Sequence, residues 1–500
     1  MIEIPNVNAS LDALLPENEH LLYEEAAKIL GQALSSVSNV KILKKSVDAR
    51  KKSNVHFVLT LGVSLSSESD EMIAISHDAE NANSTDLTKG SYGNARIYTP
   101  GIRVPINERY FLYHKKQMLE IPYIPERLRK LNAKRPVVVG SGPAGLFAAL
   151  YLAKSGLCPL LVERGACVEE RVLAVESFNA GGNFDPVTNI QFGEGGAGTF
   201  SDGKLTTNTK NPLTHTVLQW FVDAGAPKEI LIEARPHIGT DVLRNVVTSM
   251  REQLISLGGE VRFQTQATGI KMKHGRICAL ELTNTKTGEV ELIPASHVIF
   301  ATGHSARDTF EMLKQTGLEL QQKPFSVGVR IEHTQESINE AQYGDFANHP
   351  ALGPADYKLS THLDNGRGVY TFCMCPGGEV VAAASEEGGV VVNGMSKYAR
   401  DGKNANSAVL VGVEPSDFGS DDPLAGVEFQ RKIERAAFEL ARKNGGVPYA
   451  APAQTVASFL GLTQNQIVLM RQTKTPHIAC NQAMLVALRG VTCTSVFQHL

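Results

Sequence analysis

The chain is poor in cysteine, poor in tryptophan and free of long apolar runs, and each shortage removes a class of protein. Its seven cysteines (Cys158, Cys167, Cys278, Cys373, Cys375, Cys480 and Cys493) are scattered and odd in number. That pattern excludes a disulfide framework and suits free thiols in a reducing compartment, so a cytoplasmic location is expected. No Cys-x-x-Cys occurs, which argues against a disulfide reductase; Cys373 and Cys375 are one residue apart, where strain disfavours a bridge. No Cys/His cluster has metal-site spacing and no Gly-x-Ser-x-Gly elbow is present, so no metal is expected and a hydrolase of that type is excluded. The longest apolar stretch, around Ala144–Ala153, is far too short to cross a bilayer. The start Met1-Ile2-Glu3-Ile4-Pro5-Asn6 lacks the basic head and apolar core of a secretory signal.

An excess of charge of either sign is also lacking. With 49 Lys+Arg against 52 Asp+Glu the net charge is −3, which offers no global attraction to nucleic acid or an anionic membrane. Two local basic runs remain, Lys41, Lys44, Lys45, Arg50, Lys51, Lys52 and Arg127–Arg135. They keep an RNA-binding enzyme as an alternative, although a charge run is more often a solvated face. A hydrophobic content of 42% and a length of 500 residues predict a globular chain of several domains.

What the chain does have is glycine, 44 residues of it, and one cluster in an informative place. Val137-Val138-Val139 reads as a buried strand, Gly140-Ser141-Gly142-Pro143-Ala144-Gly145 as a tight turn, and the apolar residues after it as a helix start. In this order Gly140 allows the sharp exit from the strand and Gly142 lets the backbone approach a pyrophosphate. Gly145 lets the helix pack on the sheet. The phosphates then rest on unpaired N–H groups at the positive end of the helix, beside Pro143 and Ala144. Glu163 ends a second apolar run, Pro159–Val162, where its carboxylate can accept both hydroxyls of an adenosine ribose; Arg164 follows it. A dinucleotide site is expected. Gly193-Glu194-Gly195-Gly196-Ala197-Gly198 matches the same spacing, but no strand precedes it and no helix start follows, so it reads as a loop.

The predicted fold class is α/β: a Rossmann-like domain with an inserted β-rich domain and an extra N-terminal α/β domain. Residues 1–112 read as the α/β unit, with a helix around His20–Leu34, strands Val40–Val47 and Val55–Leu65, and a polar loop Ser66–Ser91. A linker covers 113–135. The dinucleotide domain covers 136–310, with a helix Thr240–Leu257, a strand Glu260–Phe263, a hairpin within Ala267–Leu292 and a strand from His297. An inserted cap of short strands covers 311–470, and an atypical tail covers 471–500.

Longer strings narrow the reading. Gly193–Leu205, Pro236-His237-Ile238-Gly239-Thr240-Asp241, Gly303-His304-Ser305-Ala306-Arg307-Asp308, Gly328–His333, Phe372–Gly378 and Asn393-Gly394-Met395-Ser396 resemble the uncharacterised FAD-dependent dehydrogenases of the glutathione-reductase-like flavoprotein class. The resemblance runs from roughly residue 40 to 460. It implies FAD at Gly140–Gly145, and it lays the loop carrying Gly195, Gly196, Gly198, Thr199, Asp202, Gly203 and Lys204 against the ribityl chain, pyrophosphate and flavin edge. It also implies that Thr302 and Gly303 pass the adenine side. Members of the class end on a glycine-rich strand-turn-helix aimed at the flavin; no such segment follows Leu460, so that stretch is expected to be absent or replaced, with a truncated or frameshifted product as one explanation.

No residue is assigned to catalysis, since a flavin carries the electrons itself. Arg330 and Glu332 share one strand face that suits an acidic substrate or an ion-paired sheet surface. Thr240 or Asp241 is expected to cap a helix after His237. The expected function is an FAD-binding oxidoreductase acting on a small-molecule substrate, with transient NAD(P)H, no membrane and no nucleic acid as partner. The alternatives are a non-catalytic or truncated flavin- or nucleotide-binding protein and a flavin-dependent RNA-modifying enzyme.

Overall fold

Three runs of branched residues make the centre of the dinucleotide half. Val137–Val139, Leu160–Val162 and Val298–Phe300 are too short and too apolar to alternate, the pattern of strands covered on both faces. In the computed structural model they form a parallel four-stranded sheet with Glu260–Arg262, in the order Val298–Phe300, Val137–Val139, Leu160–Val162, Glu260–Arg262. The structure describes residues 1–66, 96–99, 102–105, 113–114, 121–124, 135–207, 209, 211, 213–462, 468–470 and 484–487. The loop expected up to Ser91, the basic run Arg127-Leu128-Arg129-Lys130, most of the 113–135 linker and most of the 471–500 tail lie outside these residues.

Helix Pro143–Lys154 follows the first strand and helix Thr240–Ser256 precedes Glu260–Arg262, as the spacing predicts. The expected hairpin is a three-stranded antiparallel meander, Thr265–Lys273, Arg276–Asn284 and Val290–Pro294. It packs Ala267, Leu280, Leu282 and Ile293 against Val137, Val139, Leu160 and Val162. Glycine at 275 and 288 supplies the positive φ that the turns need.

Beyond Lys323 the short-strand reading needs correction. Phe325–Thr334 and Asn404–Val413 are ten-residue strands at the heart of a seven-stranded sheet, and Ala425–Lys443 is a nineteen-residue helix. The buried positions Ile433, Ala437 and Ala441 of that helix follow helical spacing, a signal present in the sequence. Among the described residues of the tail, Met484–Ala487 pairs with Phe325–Thr334 and with Ala451–Thr455.

The chain divides into two compact units: Met1–Glu120 with Lys204–Ile238 and Glu336–Ala355, and Ile121–Gly203 with Gly239–Gln335 and Asp356–Leu500. The first contains a six-stranded sheet in which Ile2–Ala9 lies between His56–Leu65 and Arg96–Thr99, with helix His20–Leu30 ending at Gly31. Its core joins Ile2, Leu61 and Val63 to Tyr343 and Ala355 from the distant segment. Lys45 donates its backbone N–H to Ile232, and its ammonium pairs with Glu233 at 2.7 Å.

Candidate cofactor site

The turn after Val139 has the geometry its glycines allow. Gly140 has φ +99°, and a Cβ there would stand 2.5 Å from the Ala301 carbonyl oxygen. A Cβ on Gly145 would lie 1.8 Å from the Gly140 oxygen, so strand and helix meet with no room for a side chain. Helix Pro143–Lys154 starts at Gly142 with no side-chain cap, and Pro143 and Ala144 are exposed. Its first N–H groups therefore remain available to an anion, with the helix dipole behind them.

The second glycine motif packs on the first. Gly195 N–H donates to the Ser141 carbonyl at 2.9 Å, and Glu194 N–H to the Ala166 carbonyl at 3.0 Å. Gly193, Gly195 and Gly196 all have positive φ; residues Gly196–Phe200 form a short 3-10 turn rather than a nucleotide-fold helix. Gly198 lies against Pro143, 3.8 Å from its Cγ as measured from a built Cβ.

Glu163 holds these pieces together. Ser141 donates to Oε2 from N–H at 2.9 Å and from Oγ at 2.8 Å, while the N–H groups of Gly165 and Gly193 donate to Oε1 at 3.0 and 3.1 Å. All four acceptor positions of the carboxylate are thus engaged by the protein, whereas the sequence reading gave them to ribose hydroxyls. Arg164 forms a two-bonded clasp with Asp308 at 2.9 and 2.8 Å and lies over the Phe192 ring at 4.4 Å. Burial raises the Asp308 carboxyl, but the Arg164 bonds and charge prevail and hold it below the usual carboxylate range.

One cleft gathers Gly140, Glu163, Arg164, Gly196 and Thr302. Its enclosed cavity volume is about 50 Å³, and it opens to solvent at its mouth. Gln191, Phe192 and Gln266 also line it, and sequence reasoning missed them because they follow no motif. Gly303 is exposed at φ +73° beside Thr302.

Other expected contacts are placed elsewhere. Thr199 is buried, its Oγ1 donating to the Glu194 carbonyl at 3.3 Å and its own carbonyl accepting from Thr240 Oγ1 at 2.6 Å. Asp202 is buried in an ion pair with Arg400, whose Nε donates at 2.9 Å. Gly203 follows at φ +66°, and Lys204 belongs to the first unit, bridged to His237. The helix after His237 is capped by neither expected residue: Gly239 stands at its cap, and Asp241 Oδ1 accepts from Tyr398 N–H at 2.8 Å.

The residue the sequence hid is Arg171. It is fully buried, and its guanidinium donates to the carbonyls of Asn189, Ile190, Gly193 and Glu194 at 2.8, 2.8, 3.3 and 2.5 Å, over the Phe200 ring at 4.8 Å. Four converging carbonyls fix the path of the glycine loop. Glu194 points inward beside it; its Oε2 accepts from Val168 N–H and Arg251 at 2.8 Å each, and burial raises its carboxyl to about 7.

Away from the cleft, Cys375 is buried and donates to the Cys373 carbonyl at 3.3 Å; the bond with Cys373 and burial both push its thiol up. That environment suits a buried small hydrophobe, not an active thiol. Arg307, which follows the Thr302-Gly303 turn, is clamped by Glu434 at 2.7 and 3.0 Å and by Glu386 at 2.6 Å.

Family comparison agrees with this geometry. Residues 134–308 match the pyridine nucleotide-disulphide oxidoreductase family, residues 324–495 the family described as FAD-dependent protein, C-terminal domain-like, and residues 1–64 a domain of unknown function. An uncharacterized protein of Clostridium beijerinckii is 42% identical over 460 residues, spanning 92% of this chain and 77% of that protein. The chain belongs to the FAD-dependent oxidoreductases. FAD is its cofactor, and the family match continues to residue 495, past the point near Leu460 where the resemblance was expected to fade. Solved structures resemble it only loosely. Thermovibrio ammonificans THI4 is 19% identical over 39% of this chain and 70% of its own, with a TM-score of 0.27. The glycerol-3-phosphate dehydrogenase of Bacillus halodurans complexed with FAD is 11% identical over 56% of this chain and 47% of its own, at 0.28. Among the described residues no helix is long and apolar enough to cross a membrane.

Proposed function

We propose that this FAD-dependent oxidoreductase is of the glutathione-reductase-like type, holds the adenosine half of FAD in the Gly140–Thr302 cleft, and oxidises or reduces a small molecule with NAD(P)H as a transient partner. The observation that carries the reading is the uncapped start of helix Pro143–Lys154, facing bare glycine backbone at Gly142 and Gly196 beside the cleft. A pyrophosphate there takes the N–H groups at Ala144 and Gly145. Bound FAD supplies hydride and electron transfer; the protein supplies position and charge. Glu163 and Arg171 keep the loop in place, Arg164 and Thr302 border the nucleoside, and Gly198, Thr199, Asp202 and Gly203 lead towards the flavin.

The reading includes a division into a Rossmann-like body (136–310), an inserted cap (311–470) and an N-terminal domain (1–112), and a cytoplasmic location. Nucleic acid is no partner in it: Lys45 is paired with Glu233 and Arg50 with Asp48, which removes two charges from the basic run. The test is direct. Purified protein should be yellow and should bleach anaerobically on addition of NADH or NADPH. Colourless protein that cannot be reconstituted with FAD would sink the proposal.

A further inference from the structure

The seven-stranded sheet holds a buried arginine that forms no ion pair among the described residues. Arg330 is 2% exposed and stands in strand Phe325–Thr334, opposite Ala408 on one side and Val486 on the other. Its Nη1 donates to Asn406 Oδ1 at 2.6 Å and to the Cys373 carbonyl at 3.3 Å. Its Nη2 has only a long bond to Asn393 Oδ1 at 3.4 Å, and its Nε has no partner. All of these acceptors are neutral. Glu332, on the same strand face, accepts from Asn404 Nδ2 at 3.0 Å, and Arg330 forms no ion pair among the described residues.

Asn406 repeats the pattern. It is 0% exposed, its Oδ1 is taken by Arg330, and its Nδ2 has no partner. Two buried side chains thus present unsatisfied donors from one face of the sheet, since Glu332 opposite Asn406 and Arg330 opposite Ala408 point the same way. The backbone makes room for them: a Cβ on Gly394 would lie 2.2 Å from Asn406 Oδ1 and 2.4 Å from Arg330 Nη1.

Burying a cation without an ion pair is unfavourable, and each orphaned donor adds to the cost. A methionine would fill the same space at lower cost. A negatively charged oxygen ligand removes both penalties. The free edge of the guanidinium is the Nε–Nη2 side, which matches the two oxygens of a carboxylate, and Asn406 Nδ2 adds a third donor. Phe372 pairs with Ala408 on the same face and is 59% exposed, an apolar surface two strands from the cation.

We propose that Arg330 and Asn406 form the receptor for a carboxylate group of the substrate, and that Phe372 adjoins the apolar or aromatic body to which that group is attached. The proposal rests on the oxidoreductase reading for the word substrate; the anion site itself does not depend on it. The test titrates the FAD-loaded protein with benzoate, and with acetate as the smaller probe, by calorimetry and by the visible flavin spectrum. Benzoate should bind saturably and more tightly than acetate. Arg330→Met should weaken it about tenfold or more, and Arg330→Lys should retain part of the affinity. Asn406→Asp keeps the side-chain volume and supplies the missing counter-charge from within. It should fold with a thermal midpoint at or above wild type, hold the same amount of FAD and lose benzoate binding. Absence of benzoate binding by wild type overturns the proposal, as does wild-type affinity in Asn406→Asp. Loss of FAD together with benzoate in that variant also overturns it. Yellow protein indifferent to benzoate defeats this inference alone, and colourless protein that binds benzoate through Arg330 defeats the cofactor reading alone.

Discussion

Gly196 faces Gly142 so closely that a Cβ on Gly196 would stand 3.0 Å from the Gly142 Cα. Two glycine motifs of the same spacing, only one of them followed by a helix, meet backbone to backbone at the proposed dinucleotide site. Each glycine in this contact does a different task, and substitution separates the tasks.

Gly145→Ala drives a methyl into the Gly140 carbonyl at 1.8 Å and should cost about 1–3 kcal/mol or more, seen as a lower thermal midpoint. Gly142→Ala meets its nearest neighbour at an ordinary 3.8 Å and should cost at most about 1 kcal/mol. In the proposed site its methyl stands where the backbone approaches the pyrophosphate, so FAD content should fall while the fold persists. Equal losses of stability in the two variants would count against the assignment.

Arg171→Met leaves four loop carbonyls without their donor, at about 1–3 kcal/mol for each that finds no water. The loop Asn189–Glu194 should become protease-sensitive and FAD should dissociate faster, while the helical circular dichroism signal stays. An unchanged FAD off-rate would show that the loop holds its path without Arg171.

Glu194 gives a pH dependence of defined sign. Its folded pKa of about 7 lies above the ordinary 4.5, so between these values the folded chain binds more protons than the unfolded one. Stability contributed by this group therefore falls as pH rises through that window, on the order of 1.4 kcal/mol per unit at most. Glu194→Gln removes the slope. The difference in thermal midpoint between variant and wild type should move in the variant's favour from pH 4.5 to 7 and level off above; a flat difference contradicts the assignment.

Asp308→Asn opens the clasp on Arg164. Asp308 is half exposed, so the stability cost should be small, about 0.2–1 kcal/mol. Freed from its partner, Arg164 no longer holds its position over Phe192, and FAD affinity should drop more than stability does. Because the native pair holds the Asp308 pKa low, its contribution is present above the ordinary value of 3.8 and is lost as pH falls through the lowered one. Fluorescence titration of FAD at neutral pH measures the affinity arm.

Much of the dinucleotide half was legible because local chemistry dictates it. The Gly140–Gly145 turn needs backbone that no other residue permits, and the hairpin turns need glycine at positive φ. The helix Ala425–Lys443 was missed, although Ile433, Ala437 and Ala441 carry the helical spacing that marks its buried face. Arg171, Gln191 and Gln266 were not legible, since nothing in a buried arginine's sequence neighbours says that four carbonyls converge on it.

The sequence by itself determined the strand-turn-helix, the loop character of Gly193–Gly198 and the acid at position 163, all of which rest on φ limits and short-range spacing. The tertiary structure alone decided where those parts point. It spent the Glu163 carboxylate on the loop, buried Asp202 against Arg400 and joined 204–238 and 336–355 to the N-terminal sheet. It also left Arg330 without an ion pair among the described residues. The physical reason is that burial and charge pairing are set by residues far apart in the chain, and a sequence pattern fixes conformation over a few residues only.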